Sequence, residues 1–334
     1  MKYLITGGAG FIGSNYIHYL LKMYDDIEII NIDSLTYAGD LNNLNNVLKL
    51  IKANQKYNFI KADISCDHEI EEIFMEYKPN VVVNFAAESH VDRSIRNPKV
   101  FIETNVYGTN VLLEKSLKYG VQRFHQVSTD EVYGSLMEDG FFYEDSPLDP
   151  SSPYSASKAS ADLICQAYYK TFKLPITISR CSNNYGPNQH KEKLIPLTIE
   201  KLLLGQDIPV YGDGANIRDW LHVMDHCAAI DKIISFGRIG EIYNIGSNNE
   251  WENIKLILQI IKILNSYLKH YDKVVTEKQI TFVKDRQGHD RRYAIDASKI
   301  NKELNWRPKF DFKKGLEETV HWYMSEKFSN LVWK

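Results

Sequence analysis

Short apolar runs without polar alternation punctuate the first half of the chain. Between them lie longer stretches whose apolar residues recur three and four positions apart. KYLIT, IEIINID, YNFIKADI, NVVVNFAA, RFHQVS and PITISR are runs of the first kind, rich in β-branched residues. They predict strands buried on both faces. FIGSNYIHYLLKMY predicts a helix, and VFIETNVYGTNVLLEKSLKYG predicts another, continuous one, with Gly120 as its C-cap. A further helix is predicted to open near Tyr154. Strand–helix alternation of this kind predicts an α/β fold, a doubly wound parallel sheet covered by helices on both sides. The pattern decays after about Asn183, where Pro, Gly and Asn become frequent and helices such as KLIPLTIEKLLLG stand apart. Two domains are therefore expected, residues 1–182 and a smaller C-terminal one over 183–334. The strand-like EIYNIG near 241–246 is expected to return to the first sheet.

Composition narrows the function classes. With 334 residues, 44% hydrophobic and 25% charged, the chain is long enough for one large or two medium domains. A net charge of -3 argues against a general nucleic-acid binder. No apolar run approaches the ~20 residues of a membrane span. The first strand begins at Lys2, which leaves no room for a signal peptide, so a cytoplasmic enzyme is expected. Cys66, Cys165, Cys181 and Cys227 show no C-x-x-C spacing and no matching histidine pairs. Buried reduced thiols and no metal site are expected.

TGGAGFIG joins the first strand to the first helix. Gly8, Gly10 and Gly13 fit one dinucleotide spacing, and Gly7, Gly10 and Gly13 fit a related one. Glycines there let a pyrophosphate approach the backbone at a helix N-terminus. The second strand ends in Asp33, placed to accept hydrogen bonds from adenosine ribose hydroxyls and to repel a 2′-phosphate. NAD is expected rather than NADP. The plainer alternative is an ordinary turn beside a capping aspartate.

In YSASK, Tyr154 and Lys158 fall one helical turn apart on one face. Tyrosine has an ordinary pKa of about 10, so bringing it near 7 takes about 3 units, or about 4 kcal/mol. The Lys158 ammonium and a nicotinamide ring are expected to supply that together in a poorly solvated site. Just upstream, STDEVYG sets Asp130 and Glu131 where the chain leaves a strand, at the sheet edge where ligands bind. Two carboxylates held close cannot ionise independently, which leaves one acid and one base. A solvated acidic loop, or Asp130 as a helix N-cap, is the alternative. An anionic small ligand would need fixed cations, for which Arg218, and Arg286 with His289, are candidates.

TGGAGFIG with YSASK resembles the extended short-chain dehydrogenase/reductases, Rossmann enzymes acting largely on nucleotide sugars. NFAAESHVDRSI, STDEVYG, RCSNNYGP, EKLIP, IRDWL and DRQGHDRRYAID narrow the resemblance to dTDP-glucose 4,6-dehydratases, over nearly the whole chain to about Asp296. That resemblance implies a hydro-lyase using NAD, with dTDP-glucose as substrate and dTDP-4-keto-6-deoxyglucose plus water as products. It implies that Tyr154, assisted by Lys158, takes the first proton, Glu131 the C5 proton, and Asp130 protonates the leaving water, while Thr129 holds the C4 oxygen.

On the cofactor side the resemblance implies Gly7, Gly10, Phe11, Ile12, Gly13, Asp33, Ser34, Leu35, Thr36, Asp63, Ile64, Phe85, Ala86, Ala87, Thr104, Asn184, Tyr154 and Lys158. On the substrate side it implies Ser89, Thr129, Asn183, Lys193, Leu194, Pro209, Tyr211, Arg218, Asn253, Arg286 and His289. Arg291 and Arg292 can instead be read as structural salt-bridge partners. A homodimer is implied through helices around Val100–Lys118 and Tyr154–Tyr169. The chain departs from the family at Asn188–Lys191, His222, Met224 and Ser247, which leaves UDP-glucose open as the substrate. A UDP-sugar 4-epimerase has no use for Asp130–Glu131, and a decarboxylase should need an extra cation near C5. A cofactor-sensing module need not keep Tyr154, Lys158 or the acids, and all are present.

Overall fold

The computed structural model describes residues 1–137, 139–269 and 273–332. In chain order the first strands are β1 (Lys2–Thr6), β2 (Glu28–Asp33), β3 (Lys56–Lys61), β4 (Val81–Asn84), β5 (Arg123–Thr129) and β6 (Ile176–Cys181). Then come β7 (Asn183–Tyr185), β8 (Ile208–Tyr211), β9 (Ile217–His222), β10 (Ile242–Ile245), β11 (Glu250–Glu252) and β12 (Ile280–Val283). Seven of them form one sheet in the order β10-β6-β5-β4-β1-β2-β3. Every pairing in it is parallel. This is the Rossmann-type doubly wound sheet. Its order reverses between β1 and β4, the place where such sheets open a ligand crevice.

Both faces of the sheet are covered. Helices Phe11–Met23 and Val223–Phe236 bury Ile17, Leu20, Ile230 and Ile233 on one side. On the other side Phe74, Leu112, Leu113 and Cys165 from helices Asp67–Tyr77, Thr109–Lys118 and Pro153–Phe172 do the same. The buried polar groups inside the sheet satisfy one another. Thr6 Oγ1 donates to Asn84 Oδ1 (2.6 Å), and Asn84 Nδ2 donates to Gln126 Oε1 (2.8 Å).

Most of the chain beyond β6 builds a second core, in which helices Leu194–Leu203, Asn253–Leu268 and Phe312–Trp322 pack Ile199, Ile260, Leu264 and Leu316 together. Strands β11-β9-β7 and the parallel pair β12-β8 flank it. Among the described residues, no helix is long and apolar enough to cross a membrane.

Two local expectations change. The continuous helix over Val100–Gly120 is interrupted by a π-helical stretch, Ile102–Gly108, between α-helical Pro98–Phe101 and Thr109–Lys118. Asn105 in that stretch accepts from Glu88 N–H (2.9 Å) and donates to the Glu88 carbonyl (3.0 Å) and to Ser157 Oγ (2.8 Å). These bonds offer a reason for the wide turn, a distortion that often marks functional sites. All four cysteines are free, but Cys66 is half-exposed rather than buried.

Candidate active site

The glycine turn after β1 requires glycine at position 7. Gly7 has φ +68, and a Cβ there would lie 2.7 Å from the Ala86 backbone nitrogen. Helix Phe11–Met23 starts at Gly10 with no side-chain cap, leaving its first N–H groups for an anion. Gly7, Gly10, Phe11, Ile12 and Gly13 line a cavity of about 360 Å³; Gly8 does not and packs on Asn31. Asp33 Oδ2 accepts from Ala9 N–H (2.9 Å) and its Oδ1 from Leu35 N–H (2.8 Å). Burial raises its pKa, and these backbone bonds oppose the rise. Among the described residues, no arginine lines the cavity, whereas a 2′-phosphate site would use one.

Ser34, Thr36, Asp63, Ile64, Phe85, Ala86, Ala87, Thr104 and Asn184 share that lining. Leu35 does not; its backbone nitrogen serves Asp33 while its side chain packs on the core. His226 fixes Asn184 from behind, with Nδ1 3.0 Å from Asn184 Oδ1. Burial pushes His226 down to about 3, so the ring is neutral and Nδ1 carries the donating proton.

Deeper in the cavity, β5 ends at Thr129 and the chain enters a 3₁₀ turn, Asp130–Tyr133. Thr129, Asp130, Glu131, Tyr154 and Lys158 all reach the same wall. Thr129 Oγ1 accepts from Glu131 N–H (3.3 Å) and donates to Asp130 Oδ1 (3.3 Å). Asp130 is therefore the first residue of the turn and Thr129 its N-cap. Burial and then the Glu131 charge push Asp130 well above the carboxylate range, with Arg218 opposing. Burial also raises Glu131, against the pull of Arg218 and Lys193. Both acids are thus raised, not one alone. Asp130 Oδ2 has no hydrogen-bond partner among the described residues, which leaves room for a proton.

The Lys158 ammonium donates to the Val127 carbonyl at 2.6 Å. Without the nicotinamide charge, burial and then Glu131, Cys181 and Asp130 push Tyr154 well above 10. Spacing sets the two side chains on one helix face, but the backbone carbonyl claims the amine.

A second cavity, about 230 Å³, adjoins the first. Ser89, Asn183, Lys193, Leu194, Pro209, Tyr211, Arg218, Asn253, Arg286 and His289 all line it. Ser89, Glu131, Asn183 and Lys193 line both cavities and mark where they meet. Lys193 Nζ donates to the Ser89 carbonyl (3.2 Å). Arg286 is held by Asp92, with Nε 2.6 Å from Oδ1 and Nη2 donating to Oδ2 (3.1 Å). Buried Arg218 donates to the carbonyls of Ile217 (2.7 Å) and Asp290 (2.9 Å). Arg291 pairs with Asp213 (3.0 Å) and Arg292 with Glu250 (2.6 Å), and neither lines a cavity.

Sequence reasoning passed over several lining residues. Asp92, Asp290 and Tyr293 were inside quoted motifs but unassigned. Gln189, His190 and Glu192 belong to or adjoin the departing stretch Asn188–Lys191. Of the departures, His222, Met224 and Ser247 line neither cavity. His222 stacks on Phe310 at 3.8 Å, and Ser247 Oγ donates to Asp219 (2.7 Å).

A parallel sheet of this order, a glycine turn at its switch point, and a tyrosine and lysine one helical turn apart define an extended short-chain dehydrogenase/reductase. A family model described as GDP-mannose 4,6 dehydratase matches residues 4–319. The dTDP-glucose 4,6-dehydratase of Xanthomonas campestris pv. campestris is 48% identical over 332 residues, covering 97% of this chain and 93% of that protein. Among solved structures, dTDP-glucose 4,6-dehydratase of Bacillus anthracis in complex with NAD is 50% identical, with TM-score 0.88 and 99% of each chain covered. DesIV, a dTDP-glucose 4,6-dehydratase of Streptomyces venezuelae with NAD and TYD bound, is 45% identical, with TM-score 0.91 and 98% of each chain covered. The chain belongs to the GDP-mannose 4,6 dehydratase family, and its relatives there include dTDP-glucose 4,6-dehydratases.

Proposed function

We propose that this protein dehydrates dTDP-glucose to dTDP-4-keto-6-deoxyglucose with NAD as a recycled cofactor. The observation that supports it best is the meeting of Tyr154 with two raised carboxyls, Asp130 and Glu131, on the wall of the first cavity, with Glu131 also lining the second. NAD held along Gly7, Gly10, Gly13 and Asp33 would supply the acceptor for the C4 hydride and its donor to C6. Tyr154 takes the C4 hydroxyl proton while Thr129 holds that oxygen. The Lys158 ammonium, anchored on Val127, supplies buried positive charge beside the cofactor cavity. Once C4 is a ketone, C5–H becomes acidic because the neighbouring carbonyl can carry the charge. Glu131 removes that proton, Asp130 protonates the C6 hydroxyl so that it leaves as water, and Glu131 returns a proton to C5 as the hydride reaches C6. Lys193, Arg218 and Arg286 supply the positive field for the diphosphate.

The protein acts as a homodimer in this reading. Ile102, Tyr107 and Leu117, on helices that include the π-helical stretch, are exposed, as are Leu163 and Phe172 on the Tyr154 helix. A second copy covering that face would bury them.

The test offers C4-deuterated dTDP-glucose, UDP-glucose and GDP-mannose separately, followed by mass analysis. Loss of water from dTDP-glucose, with deuterium at C6, is expected. Deuterium remaining at C4 with inverted stereochemistry would make the protein an epimerase, and faster water loss from another nucleotide would reassign the base.

A further inference from the structure

Glu131 must dispose of the proton it takes from C5, and a sugar nucleotide filling the cavity separates it from bulk water. One chain of hydroxyl and carboxyl groups leads outward from the same wall. Tyr293 and Asp290, from HDRRYAID, line the substrate cavity together with Glu131. Tyr293 hydroxyl donates to Asp290 Oδ2 at 2.5 Å, and Ser151 Oγ donates to the same oxygen at 2.5 Å. Asp290 and Tyr293 are buried, whereas Ser151 is exposed.

The arrangement is held on several sides. The Arg218 guanidinium lies over the Tyr293 ring at 4.1 Å and donates to the Asp290 carbonyl. Gly288, at φ +63, lets its loop come so close that a Cβ there would lie 2.7 Å from the Ser151 carbonyl. Burial raises the Tyr293 phenol, and among charges Glu131 acts on it most strongly.

We propose that Tyr293, Asp290 and Ser151 form a proton path between Glu131 and solvent. This rests on the dehydratase reading above. As the C5–H bond breaks, Glu131 gains the proton. The Glu131 carboxyl passes it to the Tyr293 oxygen through water in the cavity that both residues line. Tyr293 gives its own proton to Asp290 Oδ2, Asp290 gives one to Ser151, and Ser151 releases one to water. One proton reaches solvent and no electron pair leaves the protein. Run backwards, the same path delivers a solvent proton to Glu131 for return to C5. Tyr293 and Asp290 are relay residues acting through Glu131.

The experiment uses dTDP-glucose deuterated at C5, full-length protein and ordinary water, with brief incubation and mass analysis of the product. The parent should yield 6-deoxy product that has lost its C5 deuterium. Tyr293→Phe keeps the ring over Arg218 and removes only the hydroxyl. Its product should retain deuterium clearly more often than the parent's, because one carrier of the relay is gone. The readout is a ratio within the product formed, so a slower variant leaves it legible, which a merely structural role would not shift. Product from Tyr293→Phe as free of deuterium as the parent's overturns the path. Should Tyr293→Phe make no product at all, Ser151→Ala decides: raised retention supports the path, and parent-like washout overturns it. A parent that forms no 6-deoxy product from dTDP-glucose sinks the dehydratase reading instead, and the path with it.

Discussion

Asp130→Asn should slow the reaction and stabilise the protein at once. The Asp130 side chain is 2% exposed, and its pKa rises because burial and the Glu131 charge outweigh Arg218. In the unfolded chain its pKa returns near 3.8. Between that value and the folded one, the folded protein holds a proton that the unfolded chain has released. Stability therefore falls as pH rises through this window. The slope is about 1.36 kcal/mol per pH unit, until the folded pKa is reached and the loss levels off. Asparagine has the same shape, can still accept from Thr129, and does not titrate. The stability gap in favour of the variant should then widen with pH at about that slope, with each 1 kcal/mol worth roughly 1–2 °C in Tm for a chain of this length. Dehydration should meanwhile slow by ~10²–10⁴-fold, the usual worth of a general acid. That corresponds to about 3–5 kcal/mol of barrier. Calorimetric melting at several pH values, together with product formation from dTDP-glucose, measures both. A variant that melts below the parent throughout, or whose gap narrows as pH rises, refutes the account of Asp130 as a buried, protonated acid.

Tyr154→Phe should suppress nicotinamide reduction as well as product, because it removes the base for C4 oxidation. Glu131→Gln should still show a rise in nicotinamide absorbance in a single turnover, while C5 exchange and dehydration fall ~10²–10⁴-fold. Parent rates of dehydration in this variant would make Glu131 an ordinary loop acid. Denaturing the purified protein should release NAD, since each cycle regenerates it; NADP as the main nucleotide would overturn the role given to Asp33.

The sheet was legible because its strands are buried on both faces. Val81, Val82 and Val83 are all buried, so β4 reads as an unbroken apolar run. The short strands β7 and β11 hold three residues each, too few to show a period, and exist through partners such as β9. The π-helical stretch had no local signature either, since Asn105 bonds to Glu88 and Ser157, 17 and 52 positions away. Helix Asn253–Leu268 is a different matter. Leu256, Ile260, Leu264 and Leu268 recur every four residues and are buried, so its period was present in the sequence after the point where the pattern was taken to decay.

In the candidate site, spacing brought out residues but not fields. Tyr154 and Lys158 stand on one helix face because both lie in one continuous helix. Which charges act on the phenol depends on β5, whose Val127 carbonyl takes the Lys158 amine and whose end carries both acids. The same geometry orders the proposed chemistry. A charged Asp130 would oppose formation of the Tyr154 phenolate, since it already pushes that phenol up. Burial raises Asp130 and so favours its neutral form, removing that opposition while keeping in place the proton that the departing water needs. The acid required last is thereby held in the state that lets the base act first. Glu131 is raised as well, but Arg218 and Lys193 pull it back towards the ionised form a base requires. Arg218 acts on both carboxyls, so in the proposed chemistry it is Lys193 and Arg286, which act on Glu131, that set the base apart from the acid.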